Sequence, residues 1–273
     1  MLLSLLVGCN DYDLQHQKDP PRRDGGEDSG FDVDTADTGE PVDTVDSGGD
    51  TVEDDTGEED SGEVATEAIY LNTGNTLYSY DPASNKASVV GRFTDGRVNV
   101  TDMTDIAIDL SGYMYGCAYS VLYRINPHTA EATYVGTMDG SLNGLTFVSD
   151  GRLIGAGDGV VFIDTNNGAF SPLYTGTKYT SSGDIIGLPD GMLYWTVTGG
   201  DNLVRIDPNN GKPTDLGSIG VSQIFALGYA DGDLYGFTNN DQVIVIDSSN
   251  ARTTSTDRLN GSWWGATTNP VLW

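Results

Sequence analysis

The stretch LVRIDPNNG, Leu203 to Gly211, decides the architecture of this chain. It returns in altered form as LYSYDPASN from Leu77, LYRINPHTA from Leu122, VVFIDTNNG from Val160 and VIVIDSSNA from Val243. Registered on the recurring Asp or Asn, the copies fall at Asp81, Asn126, Asp164, Asp207 and Asp247, with gaps of 45, 38, 43 and 40 residues. In each copy a strand-like apolar run meets an Asp or Asn that starts a turn. Pro presets the next residue in three of them, and Asn or Gly is expected at the left-handed position.

Each unit repeats the same grammar around that stretch. A first apolar run (DIAIDLSG from Asp105, GLTFVSDG from Gly144, DIIGLPDG from Asp184, FALGYADG from Phe225) ends in a turn at Gly112, Gly151, Gly191 or Gly232. A second run follows, then the LVRID run, then a fourth such as KASVVGRF or KPTDLGSI. Four short strands at a period near 40, with no helical period after residue 66, predict an all-β fold: a five-bladed β-propeller of four-stranded antiparallel blades. The first unit lacks its inner strand, and WWGATTN, Trp263 to Asn269, supplies one at the other end. The C-terminal strand is therefore expected to close the first blade and remove two open sheet edges. The recurring acids read as turn formers between third and fourth strands, away from the axis, rather than as a metal or catalytic row.

The 273-residue chain carries 41 acidic and 13 basic side chains, a net charge of −28. Residues 10–66 alone hold 20 acids and 3 bases. This segment has Tyr12 and Phe31 as its only aromatics and cannot bury enough apolar surface to offset chain entropy, so it is expected to be a disordered acidic tether. A flexible chain of that length spans roughly 40 Å. DVDTADTG, from Asp32, alternates carboxylates as calcium loops do, but Asp37 stands where an EF-hand requires glycine, and position twelve is Asp43 rather than glutamate. The charge disfavours nucleic acid and anionic lipid as direct partners. The expected divisions are a truncated signal peptide over 1–8, the tether over 9–66 and the propeller over 67–273. Of the two cysteines, Cys117 lies in the strand-like run YGCAY and reads as a small buried apolar residue.

MLLSLLVG, running into Cys9, is too short to span a bilayer. LVGC resembles the bacterial lipobox. The resemblance implies a signal peptide removed before Cys9 and acyl chains such as palmitate on that cysteine. It implies an envelope protein, lipid-anchored at the outer membrane or cell surface. The basic residues that open such signals are missing, so the true start is expected upstream. The repeats resemble the bacterial propeller units of YncE-like, NHL-like and PQQ-dehydrogenase-like proteins, in which LYxIDPxTG recurs. The quinone enzymes carry a tryptophan docking pattern in every blade. Nothing like it recurs here, so no cofactor is expected.

Propeller geometry gathers on one face the loops that enter each inner strand and those joining second to third strands. These nominate a ligand face of Asp102, Asp105, Asn143, Asp184, Gln223 and Trp263, with Thr104, Ser181, Ser182, Ser262, Asp158, Asp201, Asn239 and Asp241 around it. One aromatic platform among hydroxyls and amides suits a glycan or a peptide. The expected function is a monomeric, membrane-anchored, non-catalytic propeller that binds a protein or glycan on this face. Two alternatives differ in class. One is a glycan-processing enzyme using Asp105 and Asp184 as acid and base. The other is a structural surface protein with no discrete ligand. His16 lies in the tether and His128 in a turn, and no Ser/His/Asp order, phosphate loop or zinc spacing occurs.

Overall fold

The computed structural model describes residues 64–273. The signal peptide, Cys9 and all but the last three residues of the expected tether lie outside the described residues. Twenty strands form five four-stranded antiparallel sheets. Blade 1 comprises β1 (Ile69–Thr73), β2 (Thr76–Asp81) and β3 (Lys86–Arg92); blade 2, β4 (Asp105–Ile108), β5 (Met114–Ala118), β6 (Val121–Ile125) and β7 (Ala132–Thr137). Blade 3 comprises β8 (Gly144–Phe147), β9 (Leu153–Ala156), β10 (Val160–Ile163) and β11 (Phe170–Tyr174). Blade 4 comprises β12 (Ser181–Gly187), β13 (Leu193–Val197), β14 (Asn202–Asp207) and β15 (Lys212–Ser218). Blade 5 comprises β16 (Ile224–Ala230), β17 (Asp233–Thr238), β18 (Gln242–Ile246) and β19 (Thr253–Arg258); β20 (Gly265–Thr268) then returns to blade 1 in the order β20-β1-β2-β3. The closure predicted from WWGATTN is thus observed, with Tyr70 opposite Thr267 and the Trp264 N–H donating to the Asn72 carbonyl at 2.9 Å.

Each inner strand touches the inner strands of the blades on either side, and the β20–β4 contact completes the ring. Strand alternation sends successive side chains to opposite faces of a blade, so every blade feeds two seams. Five apolar clusters result, one per seam. Ile106 and Ile108 pack toward blade 1 with Tyr70, Leu77 and Phe93, while Ala107, Cys117 and Leu122 pack toward blade 3 with Leu145 and Phe147. The outermost strands have little to bury; β19, TTSTDR, is mostly exposed. Every third–fourth strand pair carries a register shift. Such bulges twist an open edge away from further pairing.

The recurring Asp or Asn acts as the sequence suggested. Its carboxylate or amide oxygen accepts the N–H two residues on, from Ala83, His128, Asn166, Asn209 and Ser249 respectively. The left-handed position that follows differs from expectation in two blades. Gly168, Gly211 and Asn85 occupy it as anticipated, but Ala130 and Ala251 do so at φ of 62° and 63°. Both alanines are 0% exposed, and their methyls fill inter-blade seams. That burial offsets a left-handed cost of about 1–2 kcal/mol.

The last residues assigned to the tether are in fact docked. Ala65 donates its N–H to the Gly112 carbonyl at 2.7 Å and accepts from the Asn269 side-chain amide at 3.0 Å. Ordered contacts therefore start ahead of residue 67. At the other end Asn269 caps a single 3-10 turn, Pro270–Leu272, and the Trp273 indole N–H donates to the Thr268 hydroxyl at 3.3 Å.

Candidate functional site

Two places on the axis matter: a sealed layer of carboxyl groups within the ring, and an open bowl directly above it. The layer comes first because it corrects the sequence reading. Strand register makes Asp105, Gly144, Asp184, Ala226 and Gly265 equivalent, opposite Cys117, Ala156, Thr196, Phe237 and Asn72 on the second strands. Phe225 and Trp263 do not hold this position, although the sequence aligned them there. A bulge between Ile224 and Ala226 removes Phe225 from the ladder, and β20 begins two residues after Trp263.

Asp105 and Asp184 are each 0% exposed. Asp105 accepts the N–H of Ile106 at 2.8 Å and of Leu145 in blade 3 at 2.5 Å. Asp184 accepts the N–H of Ile185 at 2.5 Å and of Leu227 in blade 5 at 2.6 Å, with further support from the Ala266 N–H. The N–H groups of four inner strands in this layer thus end on one of two carboxyls. The three other positions are small, and at Gly265 the Asp105 carboxyl is what leaves no room. A Cβ on Gly265 would stand 2.2 Å from the Asp105 Oδ1 and 2.6 Å from the Asn72 Oδ1. Gly265→Ala is expected to cost about 3 kcal/mol through this overlap, read as a lowered urea midpoint; unchanged stability would mean that the carboxyl layer is not packed as described.

Burial is the main cause that pushes both carboxyls upward, Asp184 to about 7 and Asp105 well above the usual carboxylate range, where the nearby Asp184 charge adds to the rise. The folded ring therefore holds a proton that the unfolded chain has released above about pH 4. A raised acid stabilises the fold most fully below that unfolded value, and the contribution is lost as pH rises through the folded one. Urea midpoints are expected to fall from mildly acid to mildly alkaline pH, and a midpoint flat across that range would contradict the held proton.

This layer cannot perform glycosidic acid–base chemistry. Such groups must reach the substrate, and both carboxyls are enclosed with their oxygens already occupied. Asp105 and Asp184, which the enzymatic alternative named as acid and base, are thus both out of reach of solvent in this structure. Cys117 sits beside them, 0% exposed, its thiol 3.2 Å from the Thr104 hydroxyl and pushed up to about 11 by burial. It is a packed apolar residue, as its sequence context suggested.

The bowl opens immediately above, on the face from which the inner strands start. Its volume is about 410 Å³, and Thr104, Tyr119, Asn143, Ser182, Gly183, Phe225, Asn239 and Trp264 line it. All five blades contribute, and no lining side chain carries a charge. Thr104 donates to the Leu142 and Cys117 carbonyls at 2.9 and 3.0 Å and so fixes the floor. Trp264 lies over Gly74, where an added Cβ would come within 3.1 Å of the indole. The Asn143 Oδ1 and Ser182 Oγ are shut off from solvent with no hydrogen-bond partner in the protein.

Of the six residues nominated from sequence, Asn143 alone lines this bowl. Asp105 and Asp184 lie beneath it. Asp102 is exposed at a φ of 62°, its carboxylate accepting from the Thr101 hydroxyl. Gln223 is exposed, and its N–H donates to the Asp201 carboxylate. Trp263 is 2% exposed, packed in the seam between blades 5 and 1 with its ring edge-on to Tyr78 at 5.2 Å. Its neighbour Trp264 is the aromatic platform. The two tryptophans precede β20 and diverge, Trp263 into the seam and Trp264 into the bowl. Among the surrounding residues, Thr104, Ser182 and Asn239 reach the bowl, whereas Asp201 and Asp241 bind loop N–H groups of Gln223 and Gly261. Among the described residues, no three His, Cys, Asp or Glu side chains are grouped to hold a metal.

No family model matches the chain, and no curated protein does. Solved structures resemble its fold. A chain in the crystal structure of a nidogen/laminin complex is 14% identical with a TM-score of 0.51, over 76% of this chain and 99% of that one. A chain described in work on the de novo evolutionary emergence of a symmetrical protein is 16% identical with a TM-score of 0.50, over 76% and 96%. A protein of unknown function from Bacteroides caccae is 10% identical with a TM-score of 0.46, over 71% and 73%. At these identities the likeness is one of fold alone. The protein is a five-bladed β-propeller with a sealed axis and an uncharged coaxial bowl.

Proposed function

We propose that this protein is a lipid-anchored, non-catalytic binding propeller of the bacterial cell envelope, which holds a protein or glycan ligand in its axial bowl. The bowl carries the binding part of the reading: all five blades converge on one uncharged depression that presents aromatic, amide and hydroxyl groups, the usual composition of a small-molecule or polymer-end site. The lipobox-like LVGC and the acidic segment after it carry the anchoring part. Several acyl chains at about 0.8 kcal/mol per buried methylene make a durable anchor.

Two measurements test it. Mass spectrometry of the membrane fraction is expected to find the mature N-terminus at Cys9 with lipid attached; a soluble protein retaining Met1 would refute the anchor. The full chain is expected to be retained saturably on envelope material in a manner that Trp264→Ala abolishes and Trp264→Phe preserves. Retention indifferent to Trp264 would favour a structural surface protein.

A further inference from the structure

We infer that the axial bowl takes a single neutral sugar ring, the end of a glycan chain, with its apolar face on Trp264 and its hydroxyl edge on Asn143 and Ser182. This inference rests on the binding reading above and narrows its ligand class.

Shape comes first. A strand or extended peptide needs a groove open at two ends. Here residues from five blades surround the depression on every side, and the sealed carboxyl layer below the floor at Thr104 and Gly183 lets nothing pass through. Such a site takes a terminus or one ring. Charge comes next. A peptide terminus brings an ammonium or a carboxylate, and burying either without a counter-charge is costly. No lining side chain is charged, so a charged terminus has nothing to pair with.

Chemistry then selects among neutral groups. Tyr119, Phe225 and Trp264 offer three aromatic surfaces, and the exposed C–H face of a sugar is a flat apolar surface that stacks on such rings. Between them stand groups that both give and accept hydrogen bonds. The Asn143 Oδ1 and Ser182 Oγ lack protein partners. Leaving a buried polar atom unpaired costs about 1–3 kcal/mol, and a small rotation of either side chain toward a ligand hydroxyl removes that cost. The bowl volume of about 410 Å³ is at the lower end of ligand pockets, which suits one ring and part of a second.

The experiment presents the fluorescently labelled full chain to an array of neutral and charged glycans, with a blocked neutral tripeptide, N-acetyl-trialanine amide, as a titrated competitor. Neutral terminal sugars are expected to bind. Trp264→Ala and the double change Asn143→Ala with Ser182→Ala should each weaken them by about tenfold or more, while Trp264→Phe keeps binding within a few fold. Thermal melts of each variant establish that it is folded. Binding only to charged glycans, or sugar binding unchanged by Trp264→Ala, overturns the inference. Trp264-dependent binding of the tripeptide without any sugar binding also overturns it, yet leaves the axial-face reading standing. Failure of both probes to bind removes both.

Discussion

Asp184→Ala is expected to lower the unfolding free energy by about 3–5 kcal/mol, the usual loss when one partner of a buried, hydrogen-bonded ionisable pair is removed. Three separate deficits add. The N–H groups of Ile185 and Leu227 lose an acceptor, as does the support from Ala266. Asp105 loses its buried carboxyl neighbour. A void opens on the axis where five blades meet. Urea unfolding followed by circular dichroism measures the effect, and a loss below about 1 kcal/mol would show that the layer is dispensable. Asp105→Asn separates packing from protonation. It keeps the side-chain volume and one acceptor oxygen, so its cost is smaller. Its unfolding should also lose most of the decline toward alkaline pH, because the proton that the wild-type ring holds is replaced by a fixed amide hydrogen. An alkaline decline as steep as wild type in Asp105→Asn would place the titration elsewhere.

Deleting residues 263–273 is expected to abolish the cooperative fold. β1 would lose its ladder with β20 from Ile69 opposite Thr268 to Asn72 opposite Gly265. Asp184 would lose the Ala266 contribution, and the seam between blades 5 and 1 would lose Trp263 and Ala266. Removal of a buried tryptophan side chain alone costs about 3–5 kcal/mol, and each lost ladder bond about 1 kcal/mol. Their sum rivals the whole stability of an ordinary domain, about 5–15 kcal/mol. The truncated chain should be protease-sensitive and lack a sigmoidal melt, and a synthetic peptide of residues 263–273 should restore protection by strand addition. A truncated chain that melts cooperatively near the wild-type temperature would mean that ring closure does not hold the molecule together.

The blade count, strand order and closure were legible because they rest on local chemistry that repeats. An Asp that accepts the N–H two residues on leaves the same signature at Asp81, Asp164, Asp207 and Asp247, whatever surrounds it. The site was legible only in part. Loop position brought Thr104, Asn143, Ser182 and Asn239 to the bowl, since topology alone fixes that. Facing within the face was not legible. Nothing in SWWG says which tryptophan packs inward until Gly265 is paired with Asn72. Nor does DIAI or DIIG announce that its acid turns down the axis rather than out to solvent; the signal was the company it keeps, Gly144, Ala226 and Gly265 at the matching positions. Small residues in three blades and acids in two describe a filled centre, but only after the bulge at Ile224 has been recognised and the register corrected.

The docking of Ala65 against Gly112 and Asn269 has a mechanical consequence. Those two residues sit where inner strands finish, whereas the mouth lies where they start. Under the anchoring proposed above, a pull transmitted to Val64 would load that end of the ring, and the bowl, which opens at the other end, would face away from the attachment.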